Sequence, residues 1–505
     1  MARAGTRAGW GCCTAFLFDT LRVMTKYIPT IGLEIHAELS TQRKMFCDCL
    51  NDETELSPNV NVCPICLGHP GTIPTPNERA IAYVVTTGLA LNCRIARFSK
   101  FDRKNYFYPD LPKAYQISQY DQPFCAEGFL VLPHRKKKIR ITRIHLEEDT
   151  AKLAHAVDGK SSLVDFNRAG VPLMELVTEP DFHSAEDVVE FAREFQLILR
   201  YLGVSDGDME KGHMRIEANI SIAPEGSPTL GTKVEVKNLN SFRAVGGAVA
   251  YEIEQHRRAL DAGERLTQET RGWDEAKQET YSQRSKEEAH DYRYFPEPDI
   301  PPLTFDDAYI ELARAQIVEL PQDRRERFSR EYNLSETQAD LLAGDQALAE
   351  FFEDAVSELR ALDERGDTGM VYNYLTSDIQ GLLSASGMVL SQTKLEPEHL
   401  ARLVAFLGQG KISSRVAKDV LKQSLETGRD PESILTEEKL FQVSDTGALD
   451  GMVQEVIDKN EKVCYDYRNG KEAALQFLVG QVMAKTRGAA NPEVVRTVLK
   501  EKLSQ

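Results

Sequence analysis

Alternation of apolar and polar residues marks the strands of this chain. The stretch 232–237 alternates without a break and puts Lys233, Glu235 and Lys237 on one face. The stretch 139–146 alternates with one slip of phase at Thr142-Arg143, which predicts a half-buried strand bulged at that point. A third candidate strand is 215–220. Helical spacing takes over at 184–202, where Val188, Phe191, Ala192, Phe195, Ile198, Leu199 and Leu202 form an apolar stripe. Ser184 is placed to cap that helix, Glu186 and Asp187 sit in its first turn, and Gly203 is placed to end it. Strands and helices in irregular order over residues 27–299 predict an α+β domain rather than a doubly wound sheet.

Pro296, Pro298, Pro301 and Pro302 mark the expected end of that block, because closely spaced prolines continue neither a helix nor a central strand. Residues 300–394 read as a helical domain. A second boundary is expected at 393–397. Residues 395–505 read as a smaller helical domain, with helices at 413–425 and 471–486; Ala474, Phe477, Leu478, Gln481 and Val482 share one face of the latter. The expected architecture is therefore an α+β domain followed by two all-α domains. Residues 1–26 stand apart. They carry Arg3, Arg7 and Arg22 against the single acid Asp19, with a short apolar run from Ala15 to Phe18. The run is too short for a secretory signal. A basic, acid-poor organellar presequence stays open although its serines are missing, and Met24 is the expected start because ordered-looking sequence begins at Lys26-Tyr27-Ile28.

Composition narrows the class. A chain of 505 residues exceeds what one core usually serves, and two to four domains are expected. The net charge of -17 argues against a freestanding non-specific nucleic-acid binder, while leaving room for a local basic patch or a basic partner. No apolar run is long enough to span a bilayer. Nine cysteines at this length do not make a secreted disulfide scaffold. Cys93, Cys125 and Cys464 are scattered and expected to be buried or inert, and Cys12 and Cys13 belong to the leading stretch.

Cys47-Asp48-Cys49 and Cys63-Pro64-Ile65-Cys66 have the spacing of two zinc knuckles, four soft ligands for a closed structural site. A redox C-x-x-C is the rival reading, and it leaves the first pair without a purpose. A second set comprises acids and histidines at strand-like positions: Glu34 and His36, His145 with Glu147, Glu148 and Asp149, then Glu217, and Glu235 with Lys237. Acids converging on one face need a cation, and Mg²⁺ with phosphate suits oxygen ligands. A third stretch, 100–113, interleaves cations, amides and aromatics (Lys104, Asn105 and Tyr106 among them) and suits phosphate holding and base stacking. There is no Walker P-loop, no dinucleotide-binding glycine motif, no kinase signature and no H-E-x-x-H, so any ATP chemistry would require a less common nucleotide fold.

These segments, in this order, resemble the B subunit of the heterotrimeric Glu-tRNA(Gln)/Asp-tRNA(Asn) amidotransferases. The phrases that carry the resemblance are Gly32-Leu33-Glu34-Ile35-His36, the run 99–110, Tyr115-Gln116-Ile117-Ser118-Gln119-Tyr120-Asp121, the run 165–173, Lys237-Asn238-Leu239-Asn240-Ser241-Phe242 and the run 291–299. It extends from about Tyr27 to the C-terminus, through Phe477-Leu478-Val479-Gly480-Gln481. The resemblance implies a cradle-shaped catalytic domain related to glutamine synthetase and guanidino kinases, a helical domain and a tail domain that contacts tRNA. The archaeal relative carries an inserted domain for which this chain has no room.

It further implies ATP- and Mg²⁺-dependent phosphorylation of the side-chain carboxylate of Glu-tRNA(Gln) and/or Asp-tRNA(Asn), followed by amidation. By the same resemblance His36, Glu148 and Glu235 are expected to hold Mg²⁺, with Glu34 and Glu147 close by and Glu217 a further catalytic candidate. Lys104, Asn105, Tyr106, Arg143, Lys237 and Asn238 are expected at phosphate, nucleotide or acyl group, and Cys47, Cys49, Cys63 and Cys66 at structural Zn²⁺. This chain shows no amidase signature, so a glutaminase partner (the A subunit of such enzymes) is implied as the ammonia source, with the small C subunit bracing the pair. The expected setting is a bacterial cytoplasm, with an organelle as the alternative, and no membrane. Lys485, Thr486 and Arg487 are expected near tRNA phosphates. Two rival classes remain open: a non-catalytic zinc-containing tRNA-binding component of the same complex, and a free-standing zinc hydrolase, which the closed cysteine set disfavours.

Overall fold

The computed structural model describes residues 25–155, 160–285, 292–442, 446–486, 490 and 492–504. The leading stretch 1–24 and Arg487 lie outside the described residues. Two compact units divide the chain, the first ending at Val318 and the second starting at Glu319.

A nine-stranded mixed sheet organises the first unit. Across it lie Glu279–Ser285, Glu269–Asp274, Val234–Leu239, Met214–Pro224, Tyr27–Glu38, Pro172–Thr178, Lys138–Glu148, Cys125–Val131 and Arg94–Ile95. The pairing of Val234–Leu239 with Glu269–Asp274 is parallel, and the other pairings are antiparallel. The phase slip read from the sequence is a bulge: Arg143 pairs with Val177 and Ile141 with Thr178, leaving Thr142 as the extra residue.

Alternation divides the faces of the five central strands. Leu33, Ile35, Ala37, Ile144, Leu146, Met174, Leu176, Ile216, Ala218, Val234 and Val236 are buried together on one side. The helices Glu78–Ala90 and Phe242–Asp261 pack on this side, and Ala185–Tyr201 packs against Phe242–Asp261. Ala185–Tyr201 starts where its cap predicts, with the Ser184 hydroxyl accepting from the Asp187 N–H at 3.1 Å. The other face of the central strands carries the acids and histidines. A small sheet of Phe295–Pro296, Asp102–Asn105 and Tyr115–Ser118 borders that polar face.

The expected end of the first domain at 299 falls short. After its prolines the chain returns to the first unit: Leu303 pairs with Ser99, Phe305 packs edge-on against Phe124 at 5.5 Å, and the helix Asp307–Ala315 contacts Glu78–Ala90. Prolines stop regular structure locally, whereas a core ends only where burial ends, and Ile300, Phe305 and Ile310 are still buried.

The second unit is helical. One core includes Phe328, Leu342, Phe352, Leu375, Leu400, Val420 and Leu435, so helices on both sides of the expected 394/395 boundary share it. A separate core gathers Leu449, Val453, Leu478, Val482, Val495 and Leu499. The helix Ser414–Thr427 is capped by Ser413 and stopped by Gly428 in the left-handed region at φ 74°. Among the described residues no helix is long and apolar enough to cross a membrane.

Candidate active site

The polar face of the sheet lines a cleft of about 550 Å³. Strand pairing places its residues in rows. His145, Glu175 and His36 are neighbours across three strands, and Glu34 lies opposite Glu217. Two groups of ligand atoms result, each with its atoms within 4.8 Å of one another: His36, Glu147 and Glu175, and Glu34, Glu217 and Glu235.

In the first group Glu175 stands between two imidazoles, 3.4 Å from His36 Nε2 and 3.3 Å from His145 Nε2. Glu147 accepts from the Ser118 hydroxyl at 2.9 Å and lies 3.8 Å from His36 Nε2. Burial opposes charge on His145, but the carboxylates of Glu175 and Glu147 outweigh it and push the imidazole up to about 9. His36 is raised in the same way, burial again opposing and Glu175 prevailing. Burial also acts against Glu147, yet the Lys104 ammonium and His145 hold its carboxyl below the usual range. The charge on Lys104 is kept by Glu147 and Glu175 despite burial.

The second group is richer in oxygen. Lys237 Nζ is 2.6 Å from Glu217 and 3.7 Å from Glu235. Glu235 also accepts from the Thr270 hydroxyl at 2.8 Å, and Glu34 from the Asn219 amide at 3.0 Å. Burial first, then repulsion from Glu175 and Glu217, pushes the Glu34 carboxyl up. Arg143 reaches Glu175 at 3.6 Å from the half-exposed rim.

Residues 29–311 match the GatB/GatE catalytic domain family, and residues 350–503 match the GatB domain family. The chain is 47% identical over 491 residues to the B subunit of the aspartyl/glutamyl-tRNA(Asn/Gln) amidotransferase of Dehalococcoides mccartyi, covering 95% of this chain and 100% of that protein. The protein of the same name from Thermotoga maritima is 46% identical over 484 residues (95% of this chain, 99% of that one). That of Roseiflexus castenholzii is 47% identical over 484 residues, with the same coverage of 95% and 99%. The chain belongs to the family of aspartyl/glutamyl-tRNA(Asn/Gln) amidotransferase B subunits.

For this member of the B-subunit family, the structure gathers most of the expected site residues. Glu34, His36, Lys104, Tyr106, Arg143, Glu147, Glu217, Glu235 and Lys237 all line the cleft. Glu148 does not join them. Consecutive strand residues point to opposite faces, so Glu147 enters the cleft and Glu148 faces away. The Glu148 carboxylate accepts from Lys113 Nζ at 2.6 Å and from the Ile117 N–H at 2.9 Å. The expected set of His36, Glu148 and Glu235 is therefore not one cluster, and Glu147 and Glu175 stand where Glu148 was expected.

Two further expected residues lie outside the cleft. The Asn105 amide donates to the carbonyls of Arg103 and Arg293, which ties the 292–296 segment to the small sheet. Asn238 is exposed, in the left-handed region at φ 63°. His145 belongs to the candidate set read from the sequence, without a role of its own, whereas Glu175 does not appear there. The available signal for Glu175 is a lone acid inside the apolar run Leu173-Met174-Glu175-Leu176-Val177.

The four cysteines converge, with all Sγ atoms within 4.8 Å of one another. The Cys63 N–H points at Cys66 Sγ at 3.1 Å, and the buried Lys44 ammonium lies 3.9 Å from the same sulfur. Hydrogen bonding from the Cys47 thiol first, then from the Cys63 N–H, and the Lys44 ammonium together outweigh burial and bring the Cys66 thiol down to about 5. Cys93, Cys125 and Cys464 are buried, as expected of inert thiols. In the tail, Lys485 pairs with Glu455, and the Thr486 hydroxyl donates to the Val482 carbonyl at 3.0 Å.

Proposed function

We propose that this chain is the acyl-activating component of a tRNA-dependent amidotransferase. It would use ATP to phosphorylate the side-chain carboxylate of glutamate on tRNA(Gln), aspartate on tRNA(Asn), or both. The observation that carries this reading is the pair of ligand groups on one sheet face, flanked by Lys104, Lys237 and Arg143. A carboxylate is a poor acyl donor because its leaving group would be oxide. Transfer of the γ-phosphoryl group of ATP yields an acyl phosphate and ADP. Ammonia then attacks the acyl carbon, a proton is lost, and inorganic phosphate leaves with the electron pair of the broken C–O bond.

The chain's own residues supply binding and orientation. The ammonium groups of Lys104 and Lys237 offset charge on phosphoryl oxygens at either group, and Arg143 offers a planar donor at the rim. Ser118 and Asn219 fix the carboxylates of Glu147 and Glu34. The donor set, five carboxylates and one imidazole, fits Mg²⁺, which would be held by Glu34, Glu217 and Glu235 and by His36, Glu147 and Glu175. When bound, that ion supplies charge neutralisation at the transferring phosphoryl group. Four convergent sulfurs fit a closed structural Zn²⁺ site at Cys47, Cys49, Cys63 and Cys66.

The same reading takes the first unit as a cradle related to glutamine synthetase and guanidino kinases. It assigns ammonia supply to a glutaminase partner, the A subunit, and completes a heterotrimer with the C subunit, in a bacterial cytoplasm. Lys485 would contact tRNA phosphate by exchanging its partner Glu455.

The test is amidation of mischarged tRNA by the assembled complex, with ATP and free ammonium chloride so that glutaminase activity does not limit. Wild type should form product. Glu217→Gln should form none while binding tRNA as tightly as wild type. Equal product from both would favour the non-catalytic reading of this chain.

A further inference from the structure

Four tyrosines form one chain of rings at the cleft and touch neither ligand group in a way that explains them. Tyr106 meets Tyr292 edge-on at 5.9 Å, Tyr292 meets Tyr294 edge-on at 5.9 Å, and Tyr294 stacks on Tyr120 at 4.2 Å with an interplanar angle of 10°. All four line the cleft. They come from three segments: the end of the Asp102–Asn105 strand, the turn after Tyr115–Ser118, and the 292–296 segment. The last is tied down by Asn105, whose N–H donates to the Tyr292 carbonyl at 2.9 Å and whose amide donates to the Arg293 carbonyl at 2.8 Å. Tyr120 remains 60% exposed although its ring is already paired on one side. A stacked aromatic pair that lines a charged cleft and keeps one ring largely exposed offers a platform for a third flat ring.

A cation is a poorer candidate for that face, because Lys104 Nζ already occupies the aromatic wall, 5.2 Å from the centre of the Tyr292 ring. The ligand that combines a flat ring with groups suited to a cleft of cations and metal-ligating acids is a nucleotide. Resting on the amidation reading above, we propose that the Tyr120–Tyr294 stack holds an adenine ring, with Tyr106 and Tyr292 as its side walls. Both substrates of that reaction carry one: ATP itself, and the terminal adenosine of the tRNA to which the amino acid is esterified. Stacking places the base at the rim and leaves phosphate or acyl ester to extend inward, toward Lys104 and the acids.

The experiment uses the assembled complex and three variants, Tyr120→Ala, Tyr294→Ala and Tyr120→Phe. Two constants are read for each: the affinity for MgADP by calorimetry, and the KM for mischarged tRNA in amidation. Losing a stacking partner should raise one of them about tenfold in the alanine variants, and Tyr120→Phe should restore it. A rise confined to MgADP assigns the stack to ATP, and a rise confined to tRNA assigns it to the terminal adenosine. Both constants unchanged in Tyr120→Ala would overturn the proposal. So would a Tyr120→Phe variant as impaired as Tyr120→Ala, since the hydroxyl rather than the ring would then be at work. A wild-type complex that binds MgADP but does not amidate would overturn the amidation reading alone, and the calorimetric comparison would still decide the adenine platform.

Discussion

Replacing Glu175 by glutamine removes one negative charge while keeping shape, and His145 should report the loss. The imidazole of His145 is buried, with Glu175 3.3 Å and Glu147 3.7 Å from its Nε2. Burial alone would lower it, so its position at about 9 rests on these carboxylates, Glu175 being the larger influence. The interval from the ordinary 6.5 to about 9 corresponds to roughly 3 kcal/mol of preferential interaction with the imidazolium. Because the folded-state value is raised, this stabilisation is fully present below pH 6.5 and is lost as pH climbs through about 9.

In Glu175→Gln the His145 titration should fall by at least one pH unit, roughly 1.4 kcal/mol. Stability should then depend less on pH between 6.5 and 9 than in wild type. The assay is NMR of histidine-labelled protein in EDTA, with His145 assigned by its absence in His145→Gln. Thermal melts at pH 6 and pH 9 accompany it. An unchanged His145 titration in Glu175→Gln would refute the reasoning, because neither the geometry nor the balance of burial against charge could then be right.

Glu148→Gln should act on stability rather than on the cleft: it leaves the Lys113 ammonium without its buried partner, a loss of about 3 kcal/mol visible as a lower melting temperature, with MgADP affinity retained. Elemental analysis of metal-replete protein should find about one zinc per chain, and Cys63→Ser should lower both the zinc content and the melting temperature. Ser184→Ala should cost about 1 kcal/mol in denaturant unfolding of the first unit, since it removes the acceptor for the Asp187 N–H. Reversal of charge at Lys485 should weaken tRNA binding and flatten its salt dependence, measured by filter binding; unchanged affinity would remove the tail from the interface.

The local pattern of the chain determined a good deal by itself. Periodicity placed the capped helix after Ser184 and the bulge at Thr142, because caps and bulges are set by neighbours in sequence. The cysteine spacing specified four converging sulfurs, since two knuckles need only short turns. The pairing of Glu34 with His36 on one face followed from the period of a strand. What the sequence could not decide is which strands lie side by side. Only the tertiary structure sets Glu175 between His36 and His145, because that row depends on the register of three antiparallel strands distant in sequence. The choice between Glu147 and Glu148 turned on the same register, since a shift of one residue exchanges the faces. The domain ends also waited for the fold: Pro296 to Pro302 broke regular structure without ending the core, and burial of Phe305 and Ile310 carried the first unit on to Val318.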